Sequence, residues 1–283
     1  MNLVVRTMSR DDLDTALDWA AAEGWNPGLD DAGPFRTADP DGFLIGYVGN
    51  EPVASISVMA YGDTFGFLGF YICRPDHRGK GYGLAMWRAG LHRLGDRVVG
   101  LDGVVAQQAN YAKSGFALAH ANIRYGGAAT AIETADARIV ELRPGRPLGL
   151  AGSIVAYDRP HFPAPRNAFL RAWLAPPGRR TVAFVEDDAI HGYGCIRRCR
   201  EGFKIGPLFA DNETIADRLL AALTGRLRGQ VVYLDVPAPN AAAVRLAERH
   251  GLMPVFETAR MYRGVAPRLP LDRIFGITTF ELG

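Results

Sequence analysis

The 283-residue sequence has little that would staple, charge or anchor it. Its three cysteines, Cys73, Cys195 and Cys199, are too few and too irregularly placed for a disulfide framework. Cys195-x-x-x-Cys199 falls in a stretch that reads as a strand and has no second ligand pair, so a zinc site is not expected. His92, His161, His191 and His250 show no metal-ligand spacing, and His77 is read as a solvent-exposed side chain. A net charge of +2 is too small to drive nucleic-acid binding by bulk electrostatics, and Arg197, Arg198 and Arg200 read as a solvated basic strand edge. No apolar run approaches the roughly eighteen residues of a membrane span. The first residues lack the charged-then-apolar pattern of a secretion signal. The expectation is a chain of the reducing cytoplasm with neither nucleic acid nor membrane as partner.

What is present is enough apolar sequence for substantial cores, at 48% of residues, and a length suited to two domains. An internal repeat organises it. Strand, turn, strand, turn, strand over 42–73 recurs over 180–209 at one constant offset, which maps Glu51 to Asp187, Cys73 to Phe209 and Gly115 to Gly251. Each third strand is followed by a helical stretch, a short strand and a short helix ending in glycine. Self-similarity of this length means two copies of one domain. The expected fold is α/β, each copy a mixed central sheet flanked by helices, with residues 1–127 forming one domain and 128–283 the other.

The most informative stretch lies at the end of the third strand of the first copy, Tyr71-Ile72-Cys73. There Arg78-Gly79-Lys80-Gly81-Tyr82-Gly83 leads into a helix in which Leu84, Trp87 and Leu91 mark an apolar face. Strand, glycine-rich turn and helix together present free N–H groups and the positive end of a helix dipole to a phosphate. The spacing fits neither a nucleoside-triphosphate loop nor a dinucleotide fingerprint, and no magnesium-binding motif accompanies it. A second element, Asn110-Tyr111-Ala112-Lys113-Ser114-Gly115-Phe116, follows the short apolar run at 97–101.

Together these segments resemble the GNAT N-acetyltransferases, and the whole chain resembles tandem members of that family whose second copy is degenerate. The resemblance implies that backbone near Tyr71, Ile72 and Cys73 holds the arm of acetyl-coenzyme A. It implies that Arg78, Gly79, Lys80, Gly81, Tyr82, Gly83 and Leu84 hold its pyrophosphate and that Tyr111 protonates the departing thiolate. Val104 stands where many members carry asparagine, so Gln107 or Asn110 is expected in its place. Cys73 is read as a small strand residue outside the chemistry, because no covalent acyl-enzyme is implied.

The proton-accepting base is read as Asp102, at the end of the strand before Tyr111, with His120 as second candidate. By resemblance the acceptor site lies between Glu23 and Asp41, where Trp25, Asn26, Asp30, Asp31 and Phe35 would suit a cationic amine. Arg260, Met261 and Tyr262 are expected to face the same cleft. In the second copy Asp211-Asn212-Glu213-Thr214 replaces the glycine loop and Ala247 stands for Tyr111, so that copy is expected to bind no cofactor. The reading is an acetyl-coenzyme A-dependent transferase acting on a small-molecule or peptide amine, as a monomer or homodimer. The alternative is a coenzyme A-binding regulatory or scaffold protein.

Overall fold

The computed structural model describes residues 2–131, 135–143, 148–174 and 178–283. The first repeat runs β1 (Leu3–Thr7), α1 (Arg10–Ala22), α2 (Ala32–Ala38), β2 (Phe43–Val48), β3 (Glu51–Tyr61), β4 (Phe65–Cys73), α3 (Tyr82–Leu94), β5 (Val98–Val104), α4 (Gln108–Ala112) and β6 (Phe116–Ala128). The second runs β7 (Ile139–Glu141), α5 (Leu148–Asp158), α6 (Asn167–Leu174), β8 (Arg179–Glu186), β9 (Ala189–Arg198), β10 (Phe203–Ala210), α7 (Glu213–Thr224), β11 (Val231–Pro237), α8 (Ala241–Arg249) and β12 (Met253–Arg263), and a short β13 (Ile274–Gly276) follows. None of these helices is long and apolar enough to cross a membrane.

Local chemistry sets the helix starts. Ser9 and Asp12 form a reciprocal capping box on α1, which then buries Leu13, Ala16, Leu17 and Ala20 along one stripe. In α3 the buried stripe is Met86, Gly90 and Leu94, with Trp87 beside it. Leu84, expected on that face, is 51% exposed beside the glycine loop, and Leu91 is half-buried. Gly90 is what lets α3 lie close to the sheet, since a Cβ there would meet Val58 Cγ1 at 2.7 Å. Along β2, Phe43 and Ile45 join the core under α1 whereas Leu44 joins that under α3, as in a strand covered on both faces.

All the strands belong to one sheet, in the order β1-β2-β3-β4-β5-β12-β6-β11-β10-β9-β8-β7, with β13 paired to β10. The order reveals an exchange. β12, the last long strand of the second repeat, lies between β5 and β6, and β6 from the first repeat pairs with β11 of the second. A division at 127/128 therefore separates the repeats along the chain but not within the sheet. Each exchanged strand carries an arginine opposite an aspartate of its host. Arg124 on β6 grips Asp235 on β11 at 2.6 and 2.9 Å, and Arg260 on β12 grips Asp102 on β5 at 2.8 and 2.6 Å. Both pairs are buried, a setting in which ion pairs specify register more than they add stability.

Side chains tie the repeats elsewhere too. Phe35 stacks on Trp173 at 5.9 Å, so it belongs to the shared core. Arg197, read from sequence as part of a solvated edge, is buried beside Asp31, and Arg179 reaches the same carboxylate at 2.8 Å. Burial opposes ionisation of Asp31, but Arg197 and Arg179 outweigh it and hold the carboxyl below its ordinary range.

Candidate functional site

β4 and β5 run parallel and paired only from Phe65 to Leu68 against Val98 to Leu101, and then part. The parting is built into β4. Phe70 takes a φ of +45°, the β3–β4 register shifts there, and Ser55 Oγ donates to the Phe70 carbonyl at 2.8 Å. Beyond the bulge the Arg74 N–H donates to the Val53 carbonyl at 3.0 Å, in register with Ser55 opposite Ile72. Antiparallel alternation then turns the backbone of Ile72 to β3 and leaves that of Tyr71 and Cys73 facing the wedge. The result is a cleft of about 320 Å³ whose walls include Tyr71, Ile72, Cys73, Asp102, Gly103, Val104 and Tyr111.

One end of the cleft leads to the glycine loop. Gly79 and Gly81 have φ of +77° and +83°, and a Cβ on either would meet open space, so the loop is shaped for backbone approach and not for packing. Gly81 caps α3 without any side-chain bond. The first helical bond runs from Ala85 N–H to the Gly81 carbonyl, so N–H groups ahead of it have no helical acceptor. Gly83 gives room to the Tyr71 hydroxyl, which a Cβ would approach to 3.0 Å. Arg78 is bound to the Cys73 carbonyl at 2.9 Å and to Glu23 at 2.6 Å, at the cleft margin. With exposed Lys80 alongside, this is a concentration of donors and positive charge suited to a pyrophosphate.

On the cleft wall Tyr111 stacks on Trp87 at 5.3 Å, and its ring lies so close over β5 that a Cβ on Gly103 would meet it at 2.2 Å. Burial pushes the phenol up to about 12, so it carries its proton at any working pH. The Cys73 thiol is also pushed up, by burial first, and is a poor nucleophile. Gln107 lines the cleft; Asn110 does not, its side chain being engaged with Gln107 at 2.7 Å and Lys113 at 3.1 Å outside it.

Other expected site residues take structural places. Asp102 touches the cleft, yet its carboxylate accepts from Arg260 and, at 2.7 Å, from Asn122, so a proton-accepting role would dismantle a buried ion pair. Arg260 is consumed by that pair, and Met261 and Tyr262 lie in the cores. His120 lies away from the cleft, and burial, aided by Arg260, drives it down to about 4. Trp25 does line the cleft. Asn26 instead clasps the backbone of Glu201 at 2.8 and 3.0 Å, and exposed Asp30 is outside the cleft, its carbonyl held by Arg179.

The remaining wall comes from the second repeat. Phe256 and Thr258 stand on the exchanged strand β12, and Phe280 and Glu281 on the segment after β13. That segment is pinned to the first repeat. The Glu281 carbonyl occupies the space a Cβ on Gly69 would need, Ser57 Oγ approaches it at 3.4 Å, and Tyr61 donates to the Leu282 carbonyl at 3.0 Å. Glu281 is 3% exposed and neither carboxylate oxygen has a hydrogen-bond partner among the described residues. Sequence reasoning passed over it. The available signal was a single acid in the run Thr279-Phe280-Glu281-Leu282 after the last strand.

Fold and site define an acyltransferase assembled from two copies of one domain, only one of which keeps an open cofactor wedge. The comparisons agree. A model described as "Acetyltransferase (GNAT) family" matches residues 10–116, and one described as "Acetyltransferase (GNAT) domain" matches 154–276. The chain is 34% identical over 267 residues to a protein of Pseudoalteromonas sp. (strain SANK 73390) named holothin acyltransferase, covering 94% of this chain and 90% of that one. This chain therefore belongs to the GNAT family of acyltransferases. Its fold matches a crystal structure of a putative acetyltransferase from Pyrococcus horikoshii with a TM-score of 0.84 at 20% identity, over 99% of this chain and 96% of that one. It also matches a tandem GNAT protein from the clavulanic acid biosynthesis pathway, with a TM-score of 0.62 at 15% identity, over 94% and 100% of the two chains.

Proposed function

We propose that the protein transfers an acetyl group, or a short acyl group, from its coenzyme A thioester to an amine of a small molecule or peptide. The observation that carries this is the open wedge between β4 and β5, with the glycine loop at one end and Tyr111 on its wall. The thioester, when bound, supplies an activated carbonyl carbon and a thiolate leaving group. Loop N–H groups from Gly79 to Leu84, with Arg78 and Lys80, hold the pyrophosphate. The backbone of Tyr71 and Cys73 orients the arm as an added strand would be oriented, and an N–H there suits an oxygen that gains negative charge. Tyr111, kept protonated by burial, donates to the leaving sulfur. Direct attack by the acceptor fits the high thiol pKa of Cys73.

The acceptor enters past Trp25, Phe256 and Phe280, an aromatic wall that favours a flat or apolar amine. The name of the 34%-identical relative makes holothin the first acceptor to assay. The test is titration with acetyl-coenzyme A followed by an assay of thiol release with an amine panel. One thioester should bind per chain, and Tyr111→Phe should lower kcat about 100-fold with binding unchanged. No binding by the wild-type protein, or unchanged turnover in the variant, would overturn the reading.

A further inference from the structure

We propose that Glu281, carried by the second repeat, accepts the proton of the acceptor amine while the first repeat holds the acyl donor. This rests on the acyl-transfer reading of the wedge. Three acidic residues line the cleft, and two are already engaged, Glu23 with Arg78 and Asp102 with Arg260 and Asn122. Among the described residues no histidine lines it. Glu281 is the remaining acid, almost wholly buried, with both carboxylate oxygens unpartnered among the described residues.

Its position is not slack. The Glu281 N–H donates to Thr279 Oγ1 at 2.9 Å, its carbonyl packs over Gly69, and Arg166 anchors the segment through Thr278 Oγ1 at 2.9 Å. A carboxylate held so firmly without a hydrogen-bond donor loses its hydration, and its compensation among the described residues is the nearby charge of Arg124, Arg197 and Lys204. The missing donor is an N–H that arrives with a bound molecule, and an amine at the acceptor end of the cleft supplies one.

Three cations lie near it, and Nη1 and Nη2 of Arg197 are themselves without a hydrogen-bond partner among the described residues. Arg124 on β6 grips Asp235 on β11 and donates to the Trp25 carbonyl at 3.0 Å. Lys204 on β10 reaches that same carbonyl at 3.2 Å, and Arg197 on β9 lies against Asp31. None of them forms an ion pair with Glu281 among the described residues. In the transfer the amine nitrogen bonds to the thioester carbon, the carbon–sulfur bond breaks, Glu281 takes the nitrogen's proton, and Tyr111 gives one to the sulfur. The products are an amide and a thiol, and solvent returns the proton from Glu281 to Tyr111.

The experiment compares wild type, Glu281→Gln and Glu281→Asp in thermal melting, acetyl-coenzyme A titration and the pH profile of amine transfer. Glu281→Gln should bind the thioester within about twofold of wild type and lose 100- to 1,000-fold in kcat. It should also lose the acidic limb of its profile, and the loss should shrink with amines already neutral at the assay pH. Glu281→Asp should keep that limb at a reduced rate. If the wild type transfers and Glu281→Gln keeps its rate and its acidic limb, the proposal is overturned while the acyl-transfer reading stands. A lowered melting temperature with an unaltered profile overturns it equally, since that marks a structural role. If Glu281→Gln does not fold, Glu281→Ala assayed with added formate decides: recovered rate supports the proposal, and no recovery overturns it. A wild type that binds the thioester but transfers to no amine overturns the underlying reading, a result distinct from all of these.

Discussion

The two repeats split their sheets at equivalent places and then do opposite things with the gap. In the first, β4 and β5 diverge after Leu68 and Leu101, and the gap is the cleft that opens past the glycine loop. In the second, β10 and β11 pair only from Phe203 to Ile205 against Val232 to Leu234, and β13 lies in the gap. Leu208 and Phe209 face Gly276 and Ile274, and the Ile277 N–H donates to the Asp235 carbonyl at 2.9 Å. The chain thus fills its second wedge with a strand of its own, where the first wedge is left for a thioester. At the end of that wedge Asn212 caps α7 through the Ile215 N–H, and Asp211 is held by Tyr157, His191 and Arg273. A split sheet leaves two backbone edges without partners, and something must satisfy them. The repeat without the glycine loop thus also carries a strand across its split, so its backbone edges are paired.

This contrast can be broken or sharpened experimentally. The largest effect should come from Asp102→Asn, which leaves Arg260 buried without its counterion and should cost about 3–5 kcal/mol by denaturant titration. Replacing both partners together, as Asp102→Leu with Arg260→Met, should recover much of that stability and leave kcat within about tenfold of wild type. A dead but folded double variant would return Asp102 to the chemistry. Next, Gly81→Val puts a branched side chain at φ +83° on the phosphate side of α3. It should weaken acetyl-coenzyme A binding at least 100-fold by calorimetry while leaving the melting temperature within a few degrees; binding that survives would mean the cradle is elsewhere. The smallest effect is expected of Asn212→Ala, which removes a helix cap at about 1 kcal/mol and should not create a second binding site. Two thioesters bound per chain in that variant would show that the cap alone closed the second wedge.

Much of this was legible in the sequence because its chemistry is local. Gly79 and Gly81 announce positive φ wherever they stand between a strand and a helix, Asn212 announces a cap, and Tyr111 stands in a short helix that follows the loop by one helix and one strand. The repeat itself gave the element order apart from α2, α6 and β13. What could not be read were choices made between distant segments. The sequence marks β6 and β12 as strands but not which neighbour each takes, so the exchange was invisible. Asp102 read as the proton-accepting base near Tyr111, and only the pairing with β12 shows Arg260 beside it. Glu281 becomes part of the site through contacts to Ser57 and Gly69, at the far end of the sequence.

The exchange of β6 and β12 also bears on how the chain is made. While the second repeat is still being synthesised, β5 has no partner on its outer side, and the strand that will cover it is made only after α5 to α8. The nascent first repeat must wait with an exposed sheet edge, a condition that slows folding and invites contact with other chains. A gene cut between the repeats would yield two fragments each missing a closing strand, so separate halves should be recoverable only when they are produced together.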